Sequence, residues 1–182
     1  AMPSAVETTI EASEATPGKM ARDIRVRGTL GFLRLDDVLI GADGAQFYIM
    51  EDDIIDGVLA SGTTGPDGSF DVTFTWDPCP VLCGPNPDIF VRFESWNGRV
   101  EVAGIVGQYS FASDTSFDYA GSDLNLGTVV PTNETSHAAL GILTNLSRTW
   151  RWVDDNPGID VASVNVVFPD DVVEATYYEY VT

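Results

Sequence analysis

The chain has 182 residues, 44% of them hydrophobic, which is enough for one substantial core and too apolar for wholesale disorder. Its 28 Asp and Glu stand against 9 Lys and Arg, and the net charge of -19 repels phosphate backbones and anionic lipid heads, so neither nucleic acid nor a membrane surface is an expected partner. No apolar run approaches the roughly 18 residues of a membrane span, so no membrane insertion is expected, and no basic-then-apolar leader opens the sequence.

Residues 1–20 are small, polar and acidic and read as a flexible acidic leader. From Ile24 to Leu35 apolar residues alternate with polar ones and glycines, which predicts a first strand region closed by Asp36 and Asp37. A second runs over 45–50 and ends at Glu51, Asp52 and Asp53; a third begins at Val58. Asp67-Gly68 predicts a tight turn, because the pair adopts positive φ at low cost. After it Phe70, Val72, Phe74 and Trp76 alternate with Asp71, Thr73 and Thr75, the clearest strand of the chain. Four prolines between Asp77 and Pro87 exclude a central strand there. Strands are expected again over 88–93, across an Asn97-Gly98 hairpin turn into 99–102, and over 109–111 and 124–130. About seven short strands at this spacing predict a β-sandwich of residues 21–131.

The pattern changes after Pro131. Asn133 or Thr135 is placed to cap a helix, in which Ala139, Ile142, Leu146, Trp150 and Val153 recur at three and four. Strands over 161–168 and 176–181 follow. Residues 132–182 thus form a helix and strand extension that packs on the sandwich or begins a second unit. The fold class is mostly β, a prealbumin-like or Ig-like sandwich with this C-terminal extension.

Two sets of residues carry chemistry. Cys79 and Cys83 are the only cysteines, four apart in the proline-rich loop. A redox pair or half a metal site lacks the further ligands it needs nearby, so a small structural disulfide in an oxidising compartment is expected. The acidic residues Asp36, Asp37, Glu51, Asp52 and Asp53, with Asp43 between them, are oxygen donors of the type calcium takes from loops, and they would converge if the first two strand regions were antiparallel neighbours. Calcium is therefore the cofactor to test; the competing reading is plain solvated acid. His137, the single histidine, reads as a cap-region residue, and the sequence contains no Gly-x-Ser-x-Gly elbow.

The stretch Thr63–Phe74, with Asp67, Gly68 and Phe70 at its turn, and the strand Pro87–Ser95 resemble the carboxypeptidase-regulatory-like and transthyretin-like (prealbumin-like) β-sandwich modules of extracellular bacterial proteins. The resemblance spans about residues 24–130, and the helix 136–153 is similar to one that leads into a metallopeptidase-like domain. It implies a non-catalytic accessory module of a secreted or cell-surface protein that stabilises or presents a neighbour. A calcium-dependent, carbohydrate-binding or protein-binding module is the alternative. No His-Glu-x-x-His occurs, so the chain does not carry the two-histidine zinc site of such peptidases. Neither does it carry the histidines or the Tyr-Arg-Gly-Ser-like tail of the hydrolase branch of transthyretin-like proteins.

Overall fold

A computed structural model describes residues 20–52, 57–78, 84–104, 107–156, 158 and 162–168, and the backbone of 177–180. In chain order these residues form β1 (Arg22–Leu33), β2 (Leu39–Gly41), β3 (Gln46–Glu51), β4 (Gly57–Thr63), β5 (Ser69–Trp76) and β6 (Ile89–Glu94). They continue with β7 (Val100–Gly104), β8 (Gly107–Gln108), β9 (Ser110–Ala112), β10 (Asp123–Val129), the helix α1 (Glu134–Asp154), β11 (Val164–Val167) and β12 (Tyr177–Tyr180). The architecture is predominantly β, with three sheets, one C-terminal helix and trailing strands, as expected from the sequence.

Period-two alternation decides which face of each strand is buried. In β5 Phe70, Phe74 and Trp76 are buried and Asp71, Thr73 and Thr75 exposed; in β1 Ile24 and Val26 are buried on either side of exposed Arg25. The first sheet centres on β1, antiparallel to β5 and β2 and parallel to β10. The second runs β4-β3-β6-β9 and the third β12-β11-β7-β8. Phenylalanines join the first two: the Phe47 and Phe70 rings lie 5.3 Å apart, Phe70 and Phe93 5.4 Å, and Phe93 and Phe111 5.6 Å. These are the offset and edge contacts that aromatic quadrupoles favour.

The helix begins where the Asn133 side chain accepts a hydrogen bond from the Ser136 amide at 2.7 Å. Its buried face comprises Ser136, Ala139, Leu140, Leu143, Thr144, Ser147, Trp150 and Val153, and the apolar residues among them join the same core as β1, β7 and β11. The predicted stripe is therefore rotated. Ile142 and Leu146 are only partly buried, because small polar side chains at 136, 144 and 147 let the helix approach the sandwich closely. β11 pairs in parallel with β7, with Val164 opposite Val100 and Val166 opposite Val102.

One expectation is corrected. The described residues contain no disulfide bond, and Cys79 and Cys83 lie outside them, so the brace between the two is withdrawn. The exit of that loop is anchored by polar contacts instead. Arg22 donates to Asn86 Oδ1 at 3.1 Å, and Asn86 Nδ2 donates to Asp118 at 2.8 Å.

Candidate functional site

The predicted acidic residues separate. Asp36 and Asp37 occupy the turn between β1 and β2. Glu51 ends β3, mostly buried, and Asp52 follows it, its amide donating to the Asp88 carbonyl at 2.8 Å and its carboxylate accepting from Thr115 Oγ1 at 3.1 Å. Asp53 lies outside the described residues. The two groups are not brought together, because β1 and β3 are in different sheets. A chain of hydrogen bonds leads from Asp52 to the start of β1: Asp52 is bonded to Asp88, the Asp118 amide donates to Asp88, Asn86 donates to Asp118, and Arg22 donates to Asn86. Asp36 and Asp37 lie past the other end of β1, and a twelve-residue strand runs roughly 35 Å. Among the described residues no group of three or more His, Cys, Asp or Glu is disposed to hold a metal ion.

The turn holding Asp36 and Asp37 is the most distinctive surface feature. The Asp37 amide donates to the Arg34 carbonyl at 2.9 Å, the Arg34 amide donates to the Val38 carbonyl at 3.0 Å, and Asp37 takes φ +58°. This is a three-residue hairpin loop closed by a left-handed residue, a position that Asp tolerates. Arg34 forms a two-pronged ion pair with Asp36 across it and holds that carboxyl at a pKa of about 2. Around this polar clamp four aliphatic side chains face solvent: Leu35 fully, and Leu33, Val38 and Leu39 substantially. At its base the Leu33 amide donates to His137 Nδ1 at 3.1 Å, which places the proton of a neutral ring on Nε2 and ties the hairpin to the first turn of α1. The sequence signal for this tip was the excess of aliphatic residues on both sides of Asp-Asp, and alternation alone did not reveal their exposure.

A second polar centre lies where α1 crosses the sandwich. Asp43 is completely buried and takes both prongs of Arg151, with Nε to Oδ2 at 3.2 Å, while its backbone amide donates to Thr144 Oγ1 at 3.1 Å. Beside it Asn97 Nδ2 donates to Ser147 Oγ at 2.9 Å, and the Arg99 guanidinium stands 5.1 Å from the Trp150 ring centre, within cation–π range. These groups line a shallow recess of about 190 Å³. Trp150 is buried in its floor and Trp152 is exposed, as their spacing on the helix requires.

No described protein family matches the chain by sequence, and neither does any curated protein. Among solved structures it is similar to a 9R-lipoxygenase from Cyanothece, at 14% identity and a TM-score of 0.42, over 85% of this chain and 27% of that one. It is also similar to the major pollen allergen of plantain, at 13% identity and a TM-score of 0.34, over 60% of this chain and 92% of that one. The chain thus spans about a quarter of the lipoxygenase. Its fold is of β-sandwich type, distantly resembling other β-sandwich proteins, and the likeness does not narrow to the carboxypeptidase-regulatory-like or transthyretin-like modules. Among the described residues no helix is long and apolar enough to cross a membrane.

Proposed function

We propose that the chain is a non-catalytic accessory module of a secreted or cell-surface protein, which stabilises or presents a neighbouring domain through its β1–β2 hairpin. The observation that carries this reading is the clamped apolar tip. Four aliphatic side chains held in water by a tight turn, an ion pair and a histidine contact have no role in the module's own core, and such patches mark surfaces that another protein covers. The partner surface that suits it is apolar at its centre and basic at its rim, because Asp37 and the -19 net charge surround the tip with negative potential. The resemblance to carboxypeptidase-regulatory-like modules supports the same reading at the turn that carries it. Asp67 accepts from the Ser69 amide and hydroxyl, Gly68 takes φ +80°, and Phe70 enters the core.

The test is made on the product of the complete gene. Leu35→Asp with Leu39→Asp is expected to lower the melting temperature of the neighbouring domain. The isolated module should change by no more than about 0.5 kcal/mol, as for substitutions at exposed positions. A neighbour that melts identically with either tip would overturn the proposal.

A further inference from the structure

On the other side of the Asn97–Gly98 turn from α1 lies a second recess of about 210 Å³, lined by Trp96, Arg99, Glu101, Ser163 and Asn165. Strand register explains how they meet. Trp96 bridges antiparallel to Glu101, and Glu101 is in parallel register with Asn165. Residues directly opposite share a face, so an indole, a carboxylate and an amide stand in one row across the sheet. Buried Val100, Val102 and Val166 point the other way, which puts the row on the solvent side.

The row is held in place from its flank on the same outward face. Trp96 Nε1 donates to Glu94 Oε2 at 2.9 Å, and Glu94 is paired with Arg92 at 3.3 Å, which itself lies over the Tyr48 ring. The indole N–H is therefore already satisfied on the outward face, and what the indole offers the recess is ring surface. Glu101 Oε1 accepts from Gln108 at 3.0 Å, leaving Oε2 for an incoming donor. The Ser163 hydroxyl and the Asn165 amide take no partner among the described residues and are half-buried beside the ring. An apolar plate bordered by donors and acceptors, with one acid balanced by one arginine, matches a ligand that has an apolar face and a rim of neutral hydroxyls. The volume is below the roughly 300 Å³ at which pockets for drug-sized ligands begin, so one ring fits and an extended cofactor does not.

We propose that this recess binds a single neutral pyranose ring of a glycan, stacked on Trp96 and hydrogen-bonded by Glu101, Asn165 and Arg99. The site is independent of the hairpin tip. The experiment is an amide and indole NMR titration of the whole chain with the methyl glycosides of glucose, galactose, mannose and N-acetylglucosamine. At least one sugar should shift the Trp96 indole N–H saturably. Trp96→Ala should abolish binding. Because that change also removes packing, Asn165→Ala at its half-exposed position is the second variant, expected to weaken binding about tenfold through one lost hydrogen bond. Trp152→Ala, on the exposed face of α1, should bind as the parent does. No saturable shift with any of the four sugars, or binding unchanged in both Trp96→Ala and Asn165→Ala, would overturn the assignment.

Discussion

Asp36 shows how a carboxylate at the surface can still report on folding. The hydrogen bond from Arg34, opposed by partial desolvation and aided by the Arg34 charge, lowers its pKa from 3.8 to about 2. A depressed carboxyl stabilises the fold only while it is ionised. Its contribution is complete above pH 3.8 and disappears as the pH falls from there through about 2. Asp36→Asn should therefore melt below the parent near neutral pH, and the gap should close over that acid window. Paired thermal melts across the window check this; a gap that stays constant down to pH 2 would show that Asp36 acts through turn geometry and not through charge. The Asp43–Arg151 pair is of a different kind. Asp43 has no solvent contact, so loss of Arg151 would strand a buried carboxylate, a change costing about 3–5 kcal/mol, against roughly 0–1 for an exposed pair.

At the scale of elements, the β4–β5 turn is pressed against β1 and β2 so tightly that glycine is required on both sides. A Cβ at Gly41 would stand 1.9 Å from the Asp67 carbonyl oxygen, and one at Gly68, with φ +80°, would stand 2.2 Å from the Leu30 carbonyl oxygen. Backbone cannot yield as a flexible side chain can, so Gly68→Ala should destabilise by roughly 2–4 kcal/mol in urea unfolding. Gly57→Ala, with open space around it, should stay within about 0.5 kcal/mol. Equal effects of the two would contradict the close approach. The Asp67-Gly68 turn was legible in the sequence because turn chemistry is local, and so were β5, β6 and α1, whose periods are strong. What the turn rests against was not, since it is set by pairings between distant segments. The same limit applies to the sites. The acidic groups are obvious in the sequence, but their separation depends on β1 and β3 entering different sheets. The row of Trp96, Glu101 and Asn165 depends on a parallel pairing between β7 and β11, two strands with α1 between them in the chain.

For the whole molecule the governing quantity is the imbalance of charge. Nine basic residues face 28 acidic ones, and several of the arginines are spent in local pairs such as Arg25–Asp71, Arg27–Asp123 and Arg34–Asp36. Salt acts on these two features in opposite directions. It weakens the pairs, each worth roughly 0–1 kcal/mol, and it relieves repulsion among the many acids left over. The second effect reaches farther, because the screening length is about 30 Å at 0.01 M salt and about 3 Å at 1 M, so dilute salt leaves the acids of opposite ends in contact. The melting temperature should therefore rise between these concentrations of sodium chloride, by about 2–4 °C for each kcal/mol of repulsion removed. Calcium and magnesium at matched ionic strength should act alike, since Asp36 and Asp37 are a strand length away from Glu51 and Asp52. A melting temperature that falls with sodium chloride would mean that the ion pairs outweigh the repulsion. A gain with calcium that magnesium does not match would mean that carboxylates converge on one cation after all, and that the acidity serves a site as well as a surface.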